Sequence, residues 1–144
     1  MDNAELACIE ACRNLVIDFA TFIDSDQSAR LGELMTPDTT FARPTEPDTV
    51  VRGSAAILAA FAARPRNRVT QHLNLNIRIR QTGPDTAEGF SVVVLYLAEA
   101  AEELVAGKGR KAIGPIIGTW SDTFVRTSAG WRFKDRRGKA TMHS

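Results

Sequence analysis

Cysteine and histidine are scarce in this sequence, two of each among 144 residues. Cys8 and Cys12 lie four apart in a helical stretch. They sit one turn apart on one face, a geometry that does not favour a bridge. No other Cys and no nearby His could complete a metal site with them, so no metal is expected and both thiols read as small buried apolar residues. Charge of one sign is lacking as well. The net charge of +1 gives no bulk electrostatic reason to expect nucleic acid or an anionic membrane as partner. No apolar run approaches the ~20 residues needed to span a bilayer. The N-terminus, Met1-Asp-Asn-Ala-Glu, has neither the basic nor the apolar region of a secretory signal, which points to a cytoplasmic location. A phosphate-cradling loop is not evident, since Gly107-Lys108-Gly109 is too short a signal.

What is present is ordinary globular material: 44% hydrophobic and 24% charged residues, with enough length for one domain over 1–144. The most informative stretch is 69–80, Val-Thr-Gln-His-Leu-Asn-Leu-Asn-Ile-Arg-Ile-Arg. It alternates with period two, so it reads as a long strand with Leu73, Leu75, Ile77 and Ile79 on one face. The other face begins His72-x-Asn74-x-Asn76, an unusual set for a solvent face because all three both donate and accept hydrogen bonds. His72 is the one histidine outside the last two residues. Any proton chemistry near neutral pH points to it.

Upstream, residues 3–23 carry Leu6, Ile9, Cys12, Leu15, Val16, Phe19, Phe22 and Ile23 at three- and four-residue spacing, the stripe of an amphipathic helix. A second helix is predicted over 27–35, capped by Ser25 or Asp26. Thr36-Pro37-Asp38 should end it, and a short strand follows over 39–42. Residues 43–49 read as a loop, 50–52 as a brief strand, and 55–63 as a third helix behind Ser54. Arg64-Pro-Arg-Asn-Arg68 reads as a solvated basic connector. Strands are predicted over 87–97, 111–126 and 131–137. The 98–109 stretch stays undecided between helix and hairpin arm, and 138–144 is expected to be mobile. Helices first and hairpin-joined strands after give an α+β fold, a curved antiparallel sheet closed by a helix into a cone with an apolar interior. The cone mouth is where a small-molecule pocket is expected.

Several motifs occur in an order that resembles a known family: Phe-Ile-Asp-Ser-Asp at the end of the first helix, Leu-Met-Thr-Pro-Asp-Thr-Thr-Phe, Thr-Gln-His on a strand, Gly-Thr-Trp-Ser-Asp-Thr-Phe-Val-Arg-Thr, and Gly-Trp-Arg-Phe. Over about 5–137 the chain resembles the SnoaL-like branch of the nuclear transport factor 2-like superfamily, with its cystatin-like cone. Scytalone dehydratase and hexachlorocyclohexane dehydrochlorinase pair an Asp near the end of the first helix with a His on a later strand. The resemblance carries those roles to Asp24 and His72. It also shows departures. The second histidine of scytalone dehydratase falls near Gly118, its tyrosine before the Asp is Ile23, and the dehydrochlorinase's lysine is Phe19. Arg136 stands for that enzyme's final-strand arginine.

The resulting expectation is cofactor-independent lyase or isomerase chemistry on a mostly apolar, cyclic small molecule. Asp24 and His72 are the expected catalytic pair. Phe19, Ile23, Phe41, Phe61, Tyr96 and Trp120 should line the cavity, with Asn74 or Arg136 as polar contacts. A homodimer through the outer sheet face is expected. The alternatives are a non-catalytic small-molecule binder and, third, the small subunit of a ring-hydroxylating dioxygenase.

Overall fold

The computed structural model describes residues 1–144. Helix α1, Asn3–Asp24, begins at Asp2, whose Oδ1 accepts the Glu5 N–H at 2.8 Å, the usual side-chain cap for an orphan helix donor. Its buried stripe is Cys8, Cys12, Leu15, Val16, Phe19, Ala20 and Phe22. Burial pushes both thiols above their ordinary range, so they pack as hydrophobes and are not nucleophiles. Where the sequence predicts an α-helix over 27–35, the chain forms a 3-10 helix, Ser28–Leu34, with Leu31 and Leu34 buried. Those two are three residues apart, which suits a helix of three residues per turn. Neither Ser25 nor Asp26 caps it. Asp26 takes a left-handed φ of 59° and pairs with Arg66 at 2.9 Å.

Strand β1 runs Met35–Ala42, four residues earlier than predicted at its start. The Thr36-Pro37-Asp38 stretch, read as a break, sits inside it at an irregularity in pairing between Met35 and Thr40. A proline is tolerated there because no ladder donor is needed. Strand β2, Val51–Arg52, leads to α2, Ser54–Ala62. Gly53, at φ 91°, takes the capping position assigned to Ser54, and the helix buries Ile57 and Phe61. Then come β3 (Arg68–Gly83), β4 (Thr86–Glu99), β5 (Ile113–Thr127) and β6 (Gly130–His143). The sheet order is β2-β1-β6-β5-β4-β3. Every pairing is antiparallel except β1 with β6, which is parallel. This is the α+β cone: a curved sheet wrapped around the N-terminal helix. In the undecided 98–109 stretch, β4 claims the first two residues and an isolated bridge joins Val105 to Gly109. The expected mobile tail is instead paired strand, with Gly118 opposite Ala140 and Ile117 opposite Met142.

Strand β3 departs from its simple alternation. Asn76 has φ 53°, and pairing with β4 passes from Leu75–Val92 to Arg78–Phe90. Two residues therefore oppose one, a β-bulge. Asn is among the few residues that accept the left-handed region. The bulge inverts the faces. Ile77 and Ile79 pack on the core, while Leu73 and Leu75 are 42% and 47% exposed on the outside. The four apolar residues predicted to share a face are split between two. His72 and Asn74 are thereby turned inward, toward the end of α1.

Candidate active site

The inward half of β3 meets the C-terminal end of α1. Asp24 accepts three hydrogen bonds there: from the His72 backbone N–H to Oδ2 at 2.7 Å, from Thr70 Oγ1 to Oδ1 at 2.9 Å, and from His72 Nδ1 to Oδ1 at 2.6 Å. The two side chains are 13% and 18% exposed. A carboxylate only accepts, so Nδ1 carries the proton, and in the neutral ring Nε2 keeps its lone pair. The backbone bond fixes the carboxylate's orientation independently of the imidazole. Thr70 and His72 are two apart on one strand, which is why both reach the same acid.

His72 lines a cavity of about 160 Å³ together with Phe19, Ile23, Phe41, Phe61, Val93, Leu95, Ile116 and Trp120. Phe19 is its aromatic hub, with ring centroids of Phe41, Phe61, Trp120 and Phe133 between 5.7 and 6.2 Å away. Polar lining is sparse: Arg43, Thr45, Arg64 and Thr70, besides His72. Arg43 and Arg64 each place their guanidinium carbon 5.5 Å from the Phe61 ring centroid. No group of three or more His, Cys, Asp or Glu is placed to hold a metal ion.

Three residues expected in the cavity lie elsewhere. Tyr96 is 38% exposed; it shares the outward-pointing alternation of β4 with Val92 and Val94. Asn74 lines a neighbouring groove with Asp24 and His72, one β-period farther along β3, and its buried Oδ1 has no partner. Arg136 is 2% exposed and sits behind the cavity wall. Its guanidinium carbon lies 4.0 Å from the Trp120 centroid, 4.6 Å from Phe19 and 4.8 Å from Phe133, so two rings that line the cavity, Phe19 and Trp120, cover it together with Phe133. Its one charge partner is Asp122, 3.6 Å away and as deeply buried. Both Asp122 oxygens and Arg136 Nε and Nη1 lack hydrogen bonds. Burial pushes the Asp122 carboxyl up to about 7 against the pull of Arg136. Burial likewise lowers Arg136 to about 10, with Asp122 opposing.

Gly118, where the resemblance would set a second histidine, has no room for a side chain. A Cβ at Gly118 would lie 2.7 Å from the Lys139 carbonyl oxygen and 3.2 Å from Pro44 Cβ. Pro44 fills the niche that Gly118 and Gly138 leave open, and its carbonyl accepts the Ala140 N–H at 3.1 Å.

The model of the SnoaL-like domain family matches residues 4–137. The chain belongs to the SnoaL-like family. Solved structures agree on the fold. A protein from Novosphingobium aromaticivorans described as a candidate scytalone dehydratase is 24% identical, with a TM-score of 0.78 over 100% of this chain and 91% of that one. A hexachlorocyclohexane dehydrochlorinase from Novosphingobium barchaimii is 19% identical, with a TM-score of 0.78 over 96% and 90%. A Mycobacterium tuberculosis protein of unknown function is 25% identical, with a TM-score of 0.74 over 92% and 71%. Curated protein sequences give no match. Within the SnoaL-like frame, sequence reading missed Thr70, Arg43 and Arg64. Period two from His72 could have found Thr70. The two arginines follow Phe41 and Phe61 by two and three residues, a proximity that only the fold turns into a shared wall.

Proposed function

We propose that this SnoaL-like protein is a cofactor-independent lyase or isomerase in which His72 removes a proton from carbon. The observation that carries the reading is the 2.6 Å contact of His72 Nδ1 with Asp24 Oδ1, on a histidine that lines an apolar cavity. Asp24 fixes the tautomer that leaves Nε2 basic, and its charge favours the imidazolium formed when the proton arrives. In elimination, the C–H electron pair becomes the new double bond as hydroxide or halide leaves the adjacent carbon. A departing hydroxide takes up the imidazolium proton. In isomerisation the proton returns to another carbon. The cavity volume sets the size of the reacting part. A dry cavity of ~150 Å³ holds one benzene, so about 160 Å³ takes a single ring.

The test is a thermal-shift screen of ring-sized compounds, followed by turnover of the hits with wild type, His72→Ala and Asp24→Asn. A positioned general base contributes ~10²–10⁴-fold, so both variants should lose at least ~10²-fold while still binding. Equal binding with no conversion by any of the three would leave a binding protein and end the enzyme reading.

We also propose a homodimer in the cytoplasm, with the outer sheet face as its interface. An apolar row crosses four strands there: Leu73 pairs with Val94, Val94 with Ile117, and Ile117 with Met142. Leu75 and Tyr96 flank it, both exposed. No helix of this chain covers that face, and a contiguous apolar patch of this kind marks an association site. Sedimentation should give twice 15.7 kDa, and a monomer mass at micromolar concentration would reject the interface.

A further inference from the structure

Besides His72, Thr45 and Thr70, the polar lining of the cavity is two arginines, Arg43 and Arg64. Arg43 follows β1 and Arg64 follows α2, and both line the cavity with His72. Each guanidinium lies 5.5 Å from the same Phe61 ring centroid, so the two charges are separated by no more than twice that distance. They are poorly neutralised. Arg43 has only Glu46 at 4.0 Å, on a side chain 58% exposed. Arg64 makes no ion pair or side-chain hydrogen bond, and its affinity for its proton is lowered first by burial and then by the Arg43 charge, with Asp24 pulling the other way. Against these two cations stand the exposed Glu46 beside Arg43 and, toward Arg64, the Asp24 carboxylate, already engaged by three hydrogen bonds.

The arrangement is held in place. Pro44 packs into the niche formed by Gly118 and Gly138, and its backbone is bonded to β6. That seat fixes the backbone next to Arg43, which lines the cavity. Two like charges beside an apolar wall repel each other and stay only partly solvated. A bound anion would relieve both costs, and guanidinium forks suit a planar carboxylate.

We infer that the ligand of this cavity is a monoanion, a single ring bearing a carboxylate, with the carboxylate held between Arg43 and Arg64 and the ring directed inward toward His72. This deepens the lyase or isomerase reading and rests on it for the fate of the ring, but recognition of the carboxylate is measured without turnover. Benzoate and cyclohexanecarboxylate are the probes. Benzamide and cyclohexylmethanol are their neutral counterparts. Calorimetric titration on His72→Ala protein reads binding alone.

The carboxylates should bind at least ~10-fold tighter than the neutral compounds, the scale of a charge-assisted hydrogen bond. Arg43→Gln and Arg64→Gln should each erase that preference, and Arg64→Lys should keep part of it because the charge remains. Raising salt from ~50 to ~500 mM should narrow it. Equal binding of acid and amide, a preference that survives both Gln substitutions, or no carboxylate binding at ~10 mM would each overturn the inference. These outcomes leave the Asp24–His72 chemistry untouched. That chemistry fails instead if His72→Ala and Asp24→Asn keep full turnover, whatever the arginines do.

Discussion

Replacing Asp24 by Asn should change where His72 carries its proton while leaving the ring in place. Three hydrogen bonds decide the outcome. Asn offers one oxygen where Asp offers two. The His72 backbone N–H, 2.7 Å from Oδ2, cannot reverse its role, so the amide oxygen must take that position. The amide NH₂ then occupies the Oδ1 position, facing Thr70 Oγ1 and His72 Nδ1. The Thr70 hydroxyl can rotate to accept. Nδ1 can accept only if its proton moves to Nε2, and the nitrogen that should act as base becomes a donor. Exchanging charge-assisted for neutral hydrogen bonds should cost only ~1–2 kcal/mol of stability, while turnover should fall ~10²–10⁴-fold. The imidazole ¹⁵N shifts of His72 read the tautomer directly. Wild type should show the proton on Nδ1 and Asp24→Asn the proton on Nε2. Adding His72→Ala to Asp24→Asn should cost little more activity, because the two act as a unit. A wild-type proton on Nε2, or an Asn variant with full activity, would refute the reasoning.

Other perturbations test the frame around the pair. The Asp122 carboxyl is held near 7 by burial, above its unfolded value, so its contribution to stability is full below about pH 4 and is lost as pH rises through about 7, by at most ~4 kcal/mol. Urea unfolding of wild type and Asp122→Asn between those limits should show that slope in wild type alone. Replacing the buried pair together, Asp122→Leu with Arg136→Met, should be neutral or stabilising in the same urea titration. Gly138→Ala would put a Cβ 2.5 Å from Pro44 Cδ and should destabilise by ~1–3 kcal/mol in thermal melts. On the outer face, Leu75→Glu should leave the melting temperature at low concentration nearly unchanged and convert the proposed dimer to monomer in sedimentation.

The helix stripe was legible because α1 buries one face from Cys8 to Phe22 and that period survives in the sequence; Leu6, read into the stripe, lies before the covered part and is 51% exposed. The hairpin strands were legible because turn residues such as Gly83-Pro84 and Ala129-Gly130 punctuate them. Sheet order was not, since nothing local says that β1 pairs parallel with β6 across the intervening chain. The alternation of β3 misled for a physical reason. Leu73, Leu75, Ile77 and Ile79 keep a perfect period of two, and one left-handed residue, Asn76, reverses what that period means in space. The end of β6 misled in the opposite way. Lys139 to His143 looks like a polar tail, yet its backbone pairs with β5 as far as Ile116, and pairing of that kind leaves little trace in side chains. At the site, the polar face of β3 flagged His72 before any fold was known. The arginines stayed hidden because each sits just beyond an element end, where a basic residue reads as solvated loop.

The central claim is that His72 takes a proton from carbon in the apolar cavity. The most direct measurement is turnover of a cavity ligand in deuterium oxide, following both deuterium entry at carbon and loss of water or halide, in wild type and in His72→Ala. Wild type should convert or exchange the ligand, and His72→Ala should be slower by at least ~10²-fold with binding retained. Equal rates in the two proteins would contradict the assignment of His72 as the base, and a ligand that binds without either reaction would contradict the enzyme reading itself.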